Sequence, residues 1–487
     1  MNSSDLVITG VGMVSSIGVG RAAFAKSLLE GVSGIYRQGD DGFTEDEHVT
    51  RRYRTVDGQP QLDQATAVVA NLVDFDAKLF VKPRKALKVM CREIQTAYAA
   101  SQLAVEDAGL GPYLPAEPSQ TFAPPKQRAV GRRRKRPCYT EGGKIQCDRI
   151  GTIFGSEMMY GNPEELCDAY ADSVNELGKF DASHFGNAAM RHITPLWLLK
   201  YLPNMPACHY SIVVNAHGPN NSLTVGDTSG HAALIEACGY LKREIADFMI
   251  VSATGTRLNA TRSLFTEDQP LATVAEPVAL SSRPHAINAN GLVRGEGAGG
   301  LMLERGSTAE ARGARPLARV LGYACRFIGS TSFVNHNRNA DIRPDAGRGS
   351  TAAIVAAVQA AMQSAGITSD DVGAVVGHAV GDPVIDACER VALHETLPNV
   401  PVILPGTLLG HVGAASGMMG LLAACVTLQS SRIAPVPHAK LCNTNDGSTK
   451  PLDVSNQLRP LQKPVVIAIA HTSAGHATAI VLTSPRE

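Results

Sequence analysis

The sequence lacks several features that would assign it to a class at once. It has no run of about 18 or more uninterrupted apolar residues, so no transmembrane helix is expected. It has no basic stretch ahead of its first apolar segment. "MNSSDLVITGVGMVSSIG" therefore reads as a first strand and not as a signal peptide. Ten cysteines are scattered through apolar segments with no CxxC pair. Neither a disulfide framework nor a zinc site is expected, and reduced thiols of a cytoplasmic protein are the simplest reading. Excess charge of one sign is absent too: lysine plus arginine equals aspartate plus glutamate at 45 each. A global field for polyanions is excluded, and any basic patch must be local.

What is present is a chain of 487 residues, 44% hydrophobic and 18% charged, which is too long for one ordinary core. Short apolar strands alternate with helical segments. Strands are expected at 6–12, 150–157, 246–253 and 317–327, and in "LMLER", "DVGAVVGHAV", "PVVIAIA" and "ATAIVLTS". Helices are expected at 84–108, 230–244 and 350–366, the last stopped by Gly366, and in "GMMGLLAACVTLQSS". The pattern predicts an α/β architecture with mostly buried strands. Residues 115–148 stand apart: they are rich in Pro and Gly, carry "RRRKR" at 132–136 and show no apolar periodicity. They read as an inserted surface loop. Nucleic acid is an unlikely partner for it, because no aromatic residues interleave the arginines.

Motifs occur in one order over nearly the whole chain: "VITGVGMVSSIG" (7–18), "GPNNSLTVGDTSGHAALIEA" (218–237), "RPHAINANGLVRGEGAGGLMLE" (283–304), "GHAVGDPVIDACE" (377–389) and "GTLLGHVGAASG" (406–417). Together they resemble the β-ketoacyl-[acyl-carrier-protein] synthase family. The resemblance implies a thiolase fold, two duplicated α/β halves in a five-layer αβαβα arrangement. The halves are expected at 1–270 and 271–487, the second carrying both histidine motifs. It also implies a homodimer, or a heterodimer with an active ketosynthase. An acyl carrier protein is the implied partner, with its phosphopantetheine arm as the substrate carrier and no bound cofactor or metal.

In that family a cysteine at a helix N-terminus takes the acyl group, activated by the unsatisfied amides and helix dipole. Two histidines then hold the thioester oxygen as malonyl-carrier protein decarboxylates. Here the nucleophile position falls on Asp227, while His378 and His411 match the two histidines. Glu296, Asp386 and Glu389 match supporting acidic positions. The expected substrate-binding positions are Val380, Asp382, Thr407 and Ala474. Val380 and Asp382 replace two threonines, Gly406 replaces a lysine, and Ala474 stands where a gating phenylalanine is expected. Cys238 lies about three helical turns beyond Asp227 and reads as a packed core thiol.

On chemical grounds Asp227 reads as a helix N-cap, hence an ionised and poor acyl acceptor. A triad of Asp227, Ser229 and His231 is disfavoured, because residues two apart on a helix do not face each other. A metal on His378, Asp382 and Asp386 is disfavoured, because Pro383 breaks a helix through them. Three readings stay open. The first is a non-condensing partner subunit of the chain-length-factor kind. The second is an enzyme that decarboxylates malonyl thioesters, or otherwise works on acyl thioesters, through His378 and His411. The third is a module that docks a carrier protein through the loop 115–148.

Overall fold

The computed structural model describes residues 5–37, 53–56, 59–62, 68–73, 75–114, 143–259, 261–262, 269–330, 347–443 and 450–485. Ten strands carry the architecture: β1 (Leu6–Ser15), β2 (Ile150–Gly155), β3 (Asn220–Leu223), β4 (Phe248–Thr256), β5 (Arg294–Arg305), β6 (Ala318–Phe327), β7 (Ala374–Val376), β8 (Val402–Ile403), β9 (Val465–His471) and β10 (His476–Thr483). Their order across the sheet is β8-β7-β9-β10-β6-β1-β5-β4-β2-β3.

This order contains its own repeat. Each set of five runs third, second, fourth, fifth, first in chain order. In each set the first two junctions are parallel and the next two antiparallel. The sets meet where β1 pairs β6 over Leu6↔Val320, Val7↔Arg319 and Ile8↔Ala318. The chain is thus two copies of one α/β unit, the duplicated thiolase fold. A division after residue 270 would assign β5 to the second half, but β5 pairs β1 and β4 and completes the first. By strand order the boundary falls between Arg305 and Ala318.

Five helices cover the sheets: α1 (Arg92–Asp107), α2 (Ser229–Lys242), α3 (Thr351–Ala365), α4 (Pro383–Thr396) and α5 (Ser416–Ser430). α1 packs on β1, β4 and β5, and α3 on β6, β9 and β10. α2 and α5 pack on each other and on the inner faces of both sheets. The result is the layer order α, β, α, β, α. Strands covered on both faces need no polar alternation, and β1 and β9 are buried along their whole length. Segment 413–430 has the length and apolarity of a membrane-crossing helix, yet 83% of it is buried inside the protein. An element apolar all round is what the central layer requires.

Two local expectations change. The helix expected from residue 84 begins at Arg92; Arg84–Val89 form a 3₁₀ helix, separated from it by extended Met90 and Cys91. The segment 115–148 is not all surface loop. Residues 115–142, including "RRRKR", lie outside the described residues, but Ile145 is buried and its N–H donates to Tyr113 O at 2.7 Å. Cys147–Arg149 then form a 3₁₀ turn leading into β2.

Candidate active site

The site forms where the two central helices begin. β3 ends at Leu223, and the chain turns through Gly226, at φ 63°, into a 3₁₀ turn Gly226–Thr228 and then α2. A side chain at Gly226 would be strained at that φ, so glycine is what lets the turn aim residue 227. The second repeat has the same turn: Gly413, at φ 58°, opens Gly413–Ala415 and then α5. Residues 225–230 read VGDTSG and residues 412–417 read VGAASG. The position equivalent to Asp227 is Ala414.

Asp227 points at the histidines of the other repeat. Its Oδ2 accepts from His411 Nε2 at 2.9 Å and from His378 Nε2 at 3.4 Å. An ionised carboxylate only accepts, so both Nε2 atoms carry protons. Oδ1 accepts from Arg257 at 3.1 Å. Burial opposes ionisation of Asp227, but His411, His378 and Arg257 outweigh it and hold the carboxyl well below the usual carboxylate range. The side chain keeps 16% exposure, against 3% for either imidazole. The N-cap expectation for Asp227 is corrected: Thr228 is the N-cap residue of α2, and no side chain caps the helix. The carboxylate has stronger partners across the site than the helix amides.

Behind Asp227 lies a charged set that sequence reasoning missed. Arg257 also pairs Glu157 at 3.3 Å, and Arg262 pairs the same Glu157 oxygen at 3.3 Å. Glu157 further accepts from Thr256 N and Ala414 N. The available signal was position. Glu157 and Arg257 each follow the carboxyl end of an apolar strand, β2 or β4, and these strands are adjacent and parallel. Ligands of open α/β sheets bind at such ends.

On the other side, Glu389 is fully buried and accepts four hydrogen bonds. His285 Nε2 and His471 Nε2 donate at 2.9 and 2.8 Å, His378 N at 2.8 Å and Ala379 N at 3.0 Å. Burial opposes its ionisation, but the two imidazoles outweigh it and hold Glu389 well below the ordinary range. The His471 ring stands edge-on to His378, with centroids 4.9 Å apart. Asp386 accepts from Val380 N, Gly381 N and His285 N, with burial raising its carboxyl. These acids therefore fix the loop that carries His378. His285 and His471 were also missed at the sequence level.

The remaining expected residues divide. Val380 and Gly406 line a small cavity with His378 and His411. Asp382 is committed to the fold, pairing Arg348 at 2.9 Å and capping α4 through Val384 N. Its carboxylate is 2% exposed. Thr407 is buried, and Ala474 O accepts from Ser330 N. Glu296 pairs Arg92 at 3.0 Å and accepts from Leu72 N. Burial pushes the Cys238 thiol up to about 12. The local trio does not form either: His231 turns to Thr478, and Ser229 bonds the turn backbone.

Among the described residues, one group has the spacing to share a metal: Asp227 Oδ2 with the Nε2 atoms of His378 and His411, all within 4.8 Å. The surroundings fit a cation poorly. Arg257 already occupies the same carboxylate, and buried His411 Nδ1 meets no acceptor, whereas ligating histidines normally donate their second N–H. His378, Asp382 and Asp386 do not converge on a common point.

The family model of the beta-ketoacyl synthase N-terminal domain matches residues 3–121 and 145–309, and that of the C-terminal domain matches 330–440. The chain belongs to the beta-ketoacyl synthase family. It is 26% identical over 447 residues to a 3-oxoacyl-[acyl-carrier-protein] synthase 2 of Staphylococcus aureus, covering 89% of this chain and 90% of the relative. Its fold is similar to the ishigamide ketosynthase/chain length factor (TM-score 0.72, 20% identity, 100% of both chains). It is likewise similar to a type II polyketide ketosynthase solved in complex with its acyl-carrier protein and bound to the hexaketide (TM-score 0.69, 19% identity, 99% and 100%). Asp227, presented by the turn at Gly226, is an ionised aspartate held by both histidines.

Proposed function

We propose that this chain does not condense acyl groups and acts as the partner subunit of an active ketosynthase in fatty-acid or polyketide-type biosynthesis. The observation that carries the reading is that Asp227 already takes the N–H groups of both His378 and His411. Those are the donors an enolate would need. An internal anion occupies the place of the developing one, and the two repel. An acyl-aspartate would be an anhydride, uphill from a thioester, so Asp227 does not replace the thiol.

A surface for such a partner is consistent with the exposed apolar side chains. Among the described residues, ten of the nineteen large exposed hydrophobics fall within 158–213, including Leu177 at 80%, Met190 at 86% and Ile212 at 67% exposure. Exposed apolar surface on this scale favours a protein neighbour. The carrier protein, with its pantetheine arm, is the expected third component and no cofactor is needed. The test is co-expression with a ketosynthase that retains its cysteine, followed by native mass spectrometry. A one-to-one heterodimer is expected. A stable homodimer that ignores the synthase would defeat the proposal.

A second reading keeps one specific support: both imidazoles are retained and aimed at one point. It predicts that wild-type protein converts malonyl-carrier protein to acetyl-carrier protein and that His378→Ala loses this. Absence of conversion removes the reading.

A further inference from the structure

A thiol stands elsewhere in the molecule with the apparatus that position 227 lacks. Cys325, near the end of β6, is exposed, and its Sγ lies 3.1 Å from His476 Nε2. His476 opens the neighbouring strand β10. Its Nδ1 lies 2.6 Å from Thr228 Oγ1. Thr228 follows Asp227 directly, so this group adjoins the site already described and shares with it only the turn residue Thr228.

The hydrogen bonds are compatible with the tautomer that leaves Nε2 free to act as a base. Thr228 Oγ1–H donates to Val225 O at 2.7 Å. The threonine oxygen is thereby left to accept, and in that tautomer it accepts from His476 Nδ1–H. Nε2 then carries the lone pair and faces the Cys325 thiol. Nucleophile, base and orienting group stand in the relation that activates a weak nucleophile. Partial burial pushes the Cys325 thiol above its ordinary value, with Arg326 opposing, and burial pushes His476 below its own. The resting pair is therefore neutral thiol and neutral imidazole, which calls for general-base removal of the proton as the bond forms. Phe327, two residues on and 56% exposed, has its ring centroid 6.4 Å from that of His476 and offers apolar surface near the pair.

We propose that Cys325, served by His476 and Thr228, is an acyl-acceptor site that takes an acyl group from a pantetheine-type thioester. The proposal rests on membership of a family that handles acyl thioesters and not on the partner-subunit reading. Sγ attacks the thioester carbonyl while its proton passes to His476 Nε2. The carbon–sulfur bond to the pantetheine-type thiol breaks, and His476 returns the proton to the leaving sulfur. The products are an acyl-Cys325 thioester and a free thiol. One thioester replaces another, so the exchange is close to balanced and uses no oxidant.

The full chain is incubated with excess hexanoyl-N-acetylcysteamine, and adducts are mapped by peptide mass spectrometry. A hydroxylamine-labile hexanoyl group on Cys325 is expected, formed at least tenfold faster than on free N-acetylcysteine. It should be absent from Cys325→Ala and slowed by about 100-fold in His476→Gln, the usual scale of general-base help. Thr228→Val should slow it in the same direction. Acylation at Cys325 no faster than on the free thiol overturns the proposal, and so does a rate that His476→Gln leaves unchanged. The comparison with the free thiol uses wild-type protein alone and stands even where a variant fails to fold. It is also independent of any synthase partner, so its failure would leave the partner reading where it stands.

Discussion

If the proposal holds, removing the Asp227 carboxylate should switch on a reaction that the wild type does not perform. In Asp227→Ala both Nε2–H donors lose their acceptor and face the opening that Asp227 now fills. In the wild type, an enolate oxygen reaching the same donors would stand about 4 Å from the carboxylate charge. Two like charges at about 4 Å cost ~4 kcal/mol at an effective dielectric of ~20, which is about a thousandfold in rate. Each oxyanion donor withheld costs roughly a further 10²–10³. Arg257 is not orphaned by the change, because Glu157 stays at 3.3 Å. The stability loss is then that of charge-assisted hydrogen bonds, about 1.5–3 kcal/mol each, which a urea titration can follow. The assay is conversion of malonyl-carrier protein to acetyl-carrier protein by mass spectrometry. Asp227→Ala is expected to exceed the wild type by about 10³-fold or more. The double variant Asp227→Ala/His411→Ala should fall back to the wild-type level. Wild-type turnover within tenfold of Asp227→Ala, abolished by His411→Ala, would refute the reasoning.

Glu389→Gln should destabilise the protein by about 3–5 kcal/mol, since one amide oxygen cannot replace a carboxylate serving four buried donors; a urea midpoint equivalent to less than about 1 kcal/mol would contradict this. Stability should fall steeply in acid. The folded-state pKa values of Asp227 and Glu389 are depressed, so their contribution is complete above the unfolded carboxylate values of about 4 and is lost as pH falls through the folded values. Asp386 and Glu93, raised by burial, run the other way but are outnumbered, since Asp172, Asp181 and Asp371 are depressed as well. Melting temperatures should therefore drop below about pH 4, less steeply in Asp227→Ala, and a level profile down to pH 2.5 would count against the ion pairs. Gly230→Ala would place a Cβ 2.8 Å from Met418 Cβ and 2.9 Å from Met418 N, where α2 meets α5. Overpacking there should cost about 1–3 kcal/mol, and an unchanged melting temperature would show that the central layer yields.

Much of the fold was legible because the strands are buried on both faces and stand out as short apolar runs. β9 and β10 fall where "PVVIAIA" and "ATAIVLTS" indicated, and Gly366 ends α3 in a left-handed cap at φ 67°. Asp227, His378 and His411 were each legible from motif order. Their mutual contact was not, because they come from different repeats and are 151 and 184 residues apart in sequence. For the same reason Asp227 was assigned to its own helix. A local cap is the best partner visible in sequence, whereas three cationic or N–H donors across the site make a better one. The Glu157, Arg257 and Arg262 set escaped because charged residues after strands look like ordinary loop residues until two parallel strands bring them side by side. The helix start at residue 92 was missed because "RKALKV" has helical composition but closes only as 3₁₀ turns.

On the proposal that this chain does not condense, the duplication gives a physical reason why a carboxylate at 227 would block the site. In both repeats a Val-Gly turn opens a central helix, and the two turns pack against each other. In the second repeat the turn carries Ala414, and its amide donates to Glu157; His411 enters just before it. The first repeat's turn therefore receives what the second repeat supplies: donors aimed at whatever residue 227 presents. With an uncharged thiol there, the donors remain available to a substrate oxygen. With a carboxylate, the strongest acceptor in reach is covalently part of the turn, always at the right distance and never released. On that proposal, the block arises from the same turn geometry that would present a thiol to the donors.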